Sequence, residues 1–167
     1  LGTVALGSAA LLAACGNSGS SSSSSSKDIQ WNLTSPIQTL DSSLATDTYS
    51  NIIIGNTNAG LTRVDKDGKA QPELAKSVDV SKDGLTYTFH LRDGLKWSNG
   101  DALTAKDFVY SWQRAVDPAT ASEYGYLLGP VKNANEINGG KADKSTLGVK
   151  ATDDKTFVVT LAQPTPY

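Results

Sequence analysis

Residues 85–92 read Leu85-Thr86-Tyr87-Thr88-Phe89-His90-Leu91-Arg92, an unbroken alternation of apolar and polar side chains. Successive side chains of a strand point to opposite faces, so this alternation predicts a half-buried strand with one apolar face. The dipeptides Asp83-Gly84 and Asp93-Gly94 on its two sides, and Asn99-Gly100 a little further on, are typical of turns. Short strands joined by tight turns predict a small antiparallel sheet.

A helix is predicted directly after these turns. Thr104 is a suitable N-cap, and Asp107 three residues later almost completes a capping box. Asp117-Pro118 is expected to end the helix, because the residue before a proline is disfavoured in helical backbone. Between these points apolar side chains recur at helical spacing, which predicts one buried stripe. The stripe consists of Phe108, Val109, Trp112, Ala115 and Val116.

The C-terminal part of the chain carries weaker patterns. Residues 119–128 and 131–137 are helix candidates, and residues 147–151 and 156–161 are predicted strands. Asp153-Asp154 lies between these two strands, so a turn explains this acidic pair better than a paired acid site does.

The residues before the sheet mix strand and helix patterns. Residues 29–33 alternate as a strand, and residues 61–64 form a second short one. Between them, residues 48–58 have helical spacing, and either Thr46 or Asp47 is suited to cap the start of that helix. Strands and helices together predict a mixed α/β (α+β) fold.

The N-terminal residues predict a secreted protein with a lipid anchor. Residues 4–14 are apolar and uncharged, but a membrane-spanning helix needs about 20 such residues, so residues 1–14 are predicted to be a truncated signal peptide. Leu12-Ala13-Ala14-Cys15-Gly16 resembles the lipobox of bacterial lipoproteins, which implies cleavage before Cys15 and lipidation of its thiol. Residues 15–28 are therefore expected to be the lipidated cysteine and a flexible serine-rich linker.

Bulk composition excludes some classes of function. The net charge is −2 and no basic stripe is present, so no nucleic-acid partner is predicted. Cys15 is the only cysteine, so an internal disulfide is not possible. The chain starts without Met and stops at residues 164–167 without a capping element, so we expect it to be the opening part of a longer protein.

Few residues carry signals of chemistry. His90 is the only histidine, and a single histidine without clustered partners does not make a zinc site, so we expect a solvated or hydrogen-bonded strand residue. Asp65-Lys66-Asp67-Gly68 loosely resembles the start of a calcium loop, but the later ligands are missing and a hairpin turn is predicted. No nucleophile elbow or phosphate loop occurs, so we predict no catalytic residue, metal ligand or cofactor.

The aromatic residues divide into two groups. Trp31, Trp97 and Trp112 lie in strand or helix patterns and are expected in the core. Tyr124 and Tyr126 follow the predicted helix, outside its apolar stripe. A tyrosine offers a flat apolar face and a hydroxyl, which suits contact with a peptide or sugar, but periodicity alone favours a position without a ligand role.

These motifs together resemble family 5 of the extracellular solute-binding proteins, the peptide/nickel group that serves ABC importers. Residues 83–100 look like its signature, and residues 103–114 and 117–124 are most similar to the oligopeptide-binding branch. The resemblance implies a two-lobed clamshell with an inserted subdomain. Residues 29–61 would then start lobe one, 62–163 would form the subdomain, and 164–167 would return to lobe one.

The resemblance also implies a site and partners. Thr46, Asp47 and Thr48 would contribute backbone-like contacts to an extended peptide, and Tyr124 would touch it. The implied partners are an oligopeptide ligand, the permease subunits of an ABC importer and a membrane reached through the lipid anchor, with the receptor itself a monomer. Three alternatives stay open: another solute such as a nickel complex, haem, oligosaccharide or signalling peptide; an extracytoplasmic enzyme with its site elsewhere; and an adhesin or surface structural protein.

Overall fold

Two antiparallel sheets and three α-helices make up the computed structural model, which describes residues 31–165. The helices are α1 (Thr48–Thr57), α2 (Ala105–Val116) and α3 (Ala134–Asn138). The strands are β1 (Thr62–Val64), β2 (Ala70–Pro72), β3 (Ala75–Val80), β4 (Thr86–Leu91), β5 (Val149–Asp153) and β6 (Thr156–Thr160). β1 and β2 form a hairpin, and the other four form a sheet in the order β3-β4-β6-β5. This mixed architecture confirms the predicted fold class.

Strand β4 carries the apolar face that its alternation predicts. Tyr87 lies opposite Val159, and Phe89 lies opposite Phe157 on β6. All four side chains pack in the hydrophobic core, whereas the alternate residues of β4 face the other side of the sheet. The turns on both sides are also confirmed: Gly84 and Gly94 have φ of +69° and +70°, a conformation that glycine adopts without a steric penalty.

Helix α2 covers the apolar face of the sheet. The ring centroids of Trp112 and Phe108 lie 5.3 and 5.7 Å from that of Phe157, which is fully buried. Burying one such ring stabilises the fold by about 1.5–3 kcal/mol. The predicted cap is present, since the Thr104 N–H donates to the Asp107 carboxylate over 2.6 Å. The helix ends at the predicted place, before Asp117.

Several further predictions are confirmed. α1 begins after Asp47, and the turn at 65–68 joins β1 to β2 as a hairpin. Asp153-Asp154 lies at the turn between β5 and β6. His90 on β4 forms a cross-strand hydrogen bond from Nε2 to Asp79 Oδ2 over 2.8 Å.

The helix predictions at 119–128 and 131–137 are largely wrong. The first stretch forms two short 3₁₀ turns, Pro118–Thr120 and Gly125–Leu128, because Ala121 adopts a left-handed conformation with φ of +54°. In the second, α3 begins only after Asn133, whose φ of +66° is incompatible with a helix before it. Val131 instead forms a bridge to Leu161.

Two predictions at the N-terminal side and around Trp97 are also wrong. Residues 31–33, the described part of the predicted strand at 29–33, belong to no strand, because none of the six strands pairs with them. Trp31 and Trp97 are 54% and 49% exposed rather than in the core, whereas Trp112 is partly buried against it as expected. Trp97 lies in a small hairpin closed by the bridge from Lys96 to Ala102, and no core element covers it.

Strand β3 was not predicted from the sequence. Its residues after Ala75 are exposed, and charged and apolar side chains share the strand, so no clean alternation marks it. It occupies one edge of the sheet, with a β-bulge between Ala75 and Ser77.

The domain boundaries stay predictions. The division into residues 29–61, 62–163 and 164–167 is compatible with the elements above but is not decided by them. The predictions for residues 1–14 and 15–28, including the lipidation of Cys15, concern residues outside the described part of the chain. Within residues 31–165, no helix is both long enough and apolar enough to cross a membrane.

Candidate functional site

Asp47 organises the start of α1, where three of the four predicted ligand residues lie. It is the N-cap, and its Oδ1 accepts from the Ser50 N–H over 2.9 Å. Hydrogen bonding from the Ser50 hydroxyl and then from its N–H lowers the pKa of Asp47, so the carboxylate is charged at neutral pH. Thr46 and Thr48 on either side of it are exposed.

One oxygen of Asp47 is left without a partner. Asp47 Oδ2 is buried, and no described residue donates a hydrogen bond to it. Such an oxygen is costly to leave unpaired, since most buried polar atoms in proteins are hydrogen-bonded. The positive end of the α1 dipole lies beside this oxygen and favours its negative charge.

Ser50 connects α1 to the extended residues before it. Its side chain is fully buried, and its hydroxyl oxygen accepts from the N–H groups of Gln38 and Thr39 over 3.2 and 3.3 Å. The Thr34 and Tyr49 hydroxyls form a further bond over 2.5 Å. The predicted ligand segment is thus held by backbone and side-chain hydrogen bonds rather than by a large apolar contact.

Tyr124 lies in the loop between the two 3₁₀ turns. It is 45% exposed, and its ring centroid is 6.3 Å from that of Tyr126 in an edge-to-face arrangement. The next residue, Gly125, is buried against α2: a Cβ there would lie only 2.8 Å from the Ala115 carbonyl oxygen. The close approach requires glycine and fixes the backbone that presents Tyr124.

The structure brings residues 46–48 together but joins them to Tyr124 only indirectly. Within residues 31–165, no hydrogen bond, ion pair or aromatic contact links the two groups. Both are attached to the same end of α2, however. Asp41, a few residues before Thr46, is ion-paired with Arg114, and Gly125 is pressed against the adjacent Ala115.

Two clefts elsewhere contain none of the four predicted residues. One of about 460 Å³ is lined by residues of the β6 end and the start of α3, including Val131, Lys132 and Leu161. The other, of about 180 Å³, lies beside Arg114 and Lys144. Neither of these two clefts is formed by the residues that are predicted to touch the ligand.

Sequence reasoning missed Asp41, Ser50 and Arg114. Asp41 and Arg114 are 73 residues apart, and no motif in a single sequence marks such a pair. Ser50 has a faint signal only, because a serine three residues after a cap is ordinary in a helix. In the described region, no group of three His, Cys, Asp or Glu side chains is placed to bind a metal ion.

The sequence of this chain is similar to those of known proteins. Residues 69–167 match the family model described as "Bacterial extracellular solute-binding proteins, family 5 Middle". The "Dipeptide-binding protein" of Lactococcus lactis subsp. cremoris (strain MG1363) is 58% identical over 167 residues, which are 100% of this chain and 30% of the relative. The "Probable deoxycholate-binding periplasmic protein YgiS" of Escherichia coli (strain K12) is 46% identical over 140 residues, covering 83% of this chain and 26% of that protein.

Solved structures agree with these relatives. The crystal structure of the substrate-binding domain of an oligopeptide ABC transporter from Bacillus anthracis str. Ames matches with a TM-score of 0.76 and 52% identity. The match covers 78% of this chain and 25% of that one. The chain spans 30% and 26% of the lengths of the two curated relatives above. The extent of the family match and the identity to the relatives show that the chain belongs to family 5 of the bacterial extracellular solute-binding proteins.

Proposed function

We propose that this chain is part of a lipid-anchored receptor that captures extracellular oligopeptides and delivers them to an ABC importer. The observation that carries the proposal is the start of α1, where two exposed threonines flank the capping aspartate. Two of the three matched proteins described above are named for dipeptides or oligopeptides, which supports the same conclusion.

The chemistry of this surface suits a peptide main chain. An extended peptide presents unpaired N–H and C=O groups, whatever its side chains are. Thr46 and Thr48 offer exposed hydroxyls that both donate and accept hydrogen bonds. Tyr124 adds a half-exposed ring on which an apolar part of the ligand can pack. None of these groups is arranged for covalent chemistry, so we propose a binding protein and not an enzyme.

Capture would occur by closure of two lobes around the ligand. We propose that residues 29–61 begin lobe one and that residues 62–163 form its inserted subdomain. Ligand contacts on both lobes would stabilise the closed form by a hinge motion, and the importer would recognise that form. A monomer is sufficient for this mechanism.

The anchor is proposed to be Cys15. The serine-rich residues that follow it would hold the receptor roughly 20 Å from the lipid surface, since a flexible coil of a dozen residues has an end-to-end length of about 5–6 Å × √n. Tethering raises the effective concentration of the receptor at the importer. We expect Cys15→Ala to move the full-length receptor from the membrane fraction to the medium, and unchanged fractionation would contradict the anchor.

Calorimetry of the full-length receptor tests the ligand class. We expect binding of peptides that differ in side chains but share length, with small-angle scattering showing a more compact form on binding. The same titration is made with nickel, haem, an oligosaccharide and deoxycholate as alternative ligands, the last because one relative is named for it. Binding of one of these solutes without any peptide binding would refute the proposal, as would turnover of a substrate without closure.

A further inference from the structure

An ion pair joins two distant parts of the chain beside the predicted ligand segment. Arg114 Nη1 donates to Asp41 Oδ1 over 2.8 Å, and Arg114 Nη2 donates to Asp41 Oδ2 over 2.6 Å. Each side chain is 33% exposed, so solvent screens the pair only in part. A two-pronged contact of this kind fixes the relative orientation of the two groups more tightly than a single charge contact does.

The Asp41 end of the pair fixes the turn that leads into the predicted ligand segment. The Asp41 carbonyl accepts from the N–H groups of Leu44 and Ala45, and its Oδ1 also accepts from the Ser43 N–H over 3.0 Å. The same carboxylate therefore bonds to its own turn and to Arg114. Ala45, at the end of the turn, is buried, and residues 46–48 follow it directly.

The Arg114 end is rigid. Arg114 lies in the last turn of α2, whose apolar stripe packs on the sheet, and the adjacent Ala115 contacts the loop of Tyr124 through Gly125.

Helix α1, in contrast, packs extensively against neither the sheet nor α2. Its far end is held where the Gly60 N–H donates to Glu73 over 2.8 Å. Among the hydrogen bonds and ion pairs of the described residues, only the pair of Asp41 and Arg114 joins residues 41–57 to α2.

We propose that Asp41 and Arg114 are positioning residues for ligand binding. They hold the turn at 41–45 on α2 and so set the place of Thr46, Asp47 and Thr48 relative to Tyr124. This inference rests on the proposed function, because it takes those residues as ligand contacts. Neither Asp41 nor Arg114 needs to touch the ligand itself.

The first test measures peptide affinity of the full-length receptor by calorimetry. We expect Asp41→Asn and Arg114→Gln each to weaken binding by about tenfold, the scale of a lost charge-assisted contact. Because the two residues act as a unit, the double variant is expected to bind no more weakly than the worse single variant. The matched control is Asp93→Asn, which removes the surface ion pair to Lys155 and should leave affinity unchanged.

The second test separates positioning from general loss of structure. Without ligand, hydrogen exchange at the amides of residues 43–50 should become at least about tenfold faster in Asp41→Asn, while β4 and β6 exchange as in wild type. Asp41→Glu, which keeps the charge, should restore most of the affinity and protection.

Three outcomes would overturn the inference. The first is an affinity of Asp41→Asn equal to that of wild type, and the second is faster exchange throughout β4 and β6, which would mark general destabilisation. If the wild-type receptor binds no peptide at all, the proposed function fails and this inference fails with it. That failure is distinguishable, because it is present before any substitution is made.

Discussion

Gly125→Ala is the substitution that best tests how Tyr124 is presented. The added Cβ would lie 2.8 Å from the Ala115 carbonyl oxygen and 3.2 Å from Asn138 Oδ1. The asparagine side chain can turn aside, but the carbonyl belongs to the backbone of α2 and cannot. Overpacking of this kind costs about 1–3 kcal/mol, and the backbone contact puts the expected loss near ~2 kcal/mol. The loop relieves the clash by moving away from α2, and Tyr124 moves with it.

The assay is thermal unfolding of the full-length receptor together with its affinity for a bound peptide. For a receptor about three times as long as this chain, a loss of about 2 kcal/mol lowers the melting temperature by only about 2 °C, and affinity should fall at the same time. Gly55→Ala is the matched control, since Gly55 lies within α1 with no atom within 4 Å of the new Cβ. It should stabilise α1 by about 1 kcal/mol, because alanine is the better helix former. Wild-type melting and affinity in Gly125→Ala would refute the reasoning.

Three further predictions concern the core, the ligand contact and the ion pair. Phe157→Ala should lower the free energy of unfolding by about 3–5 kcal/mol, because it leaves a cavity among three aromatic rings. Chemical denaturation measures this loss, which should be smaller for Val158→Ala on the other face of β6. Tyr124→Ala should weaken peptide binding about tenfold in calorimetry whereas Tyr124→Phe keeps most of it, and equal affinities would contradict a ring contact. Arg114 lowers the pKa of Asp41, so the stabilisation from this ion pair is complete above the unfolded carboxyl pKa of about 3.9 and is lost as the pH falls through the lower folded value. The melting temperature of Asp41→Asn should therefore fall less steeply with decreasing pH than that of the wild type.

The sequence predicted the elements whose local signals agree with their tertiary surroundings. The alternation at 85–92 and the capped, striped helix after Thr104 both face one core, so periodicity, caps and turns all favour the same structure. The helix start at Asp47 was predicted for the same reason, as its cap is local. Local signals failed at Ala121 and Asn133, which both adopt a left-handed backbone that breaks the helix pattern. Asparagine is enriched in this conformation but alanine is not, so the break at Ala121 carries no local signal.

The rest depends on contacts between residues far apart in the chain. Asp41 and Arg114 are ordinary surface residue types, and only the fold brings them together. The sequence does not predict the tight approach of Gly125 to Ala115 either, because a glycine in a loop usually indicates only a turn. The exposure of Trp97 likewise follows from a hairpin that no core element covers, not from its hydrophobicity.

The position of β3 at one edge of the described sheet has a consequence for the proposed binding of extended peptides. An unpaired strand edge attracts any extended chain, and a peptide added there would be bound away from the proposed ligand site. The bulge between Ala75 and Ser77 breaks the regular spacing of N–H and C=O groups, and the charges of Lys76 and Asp79 stand along the same edge. The sheet is thereby a poor template for a fifth strand. The same two features would protect copies of this chain from joining edge to edge.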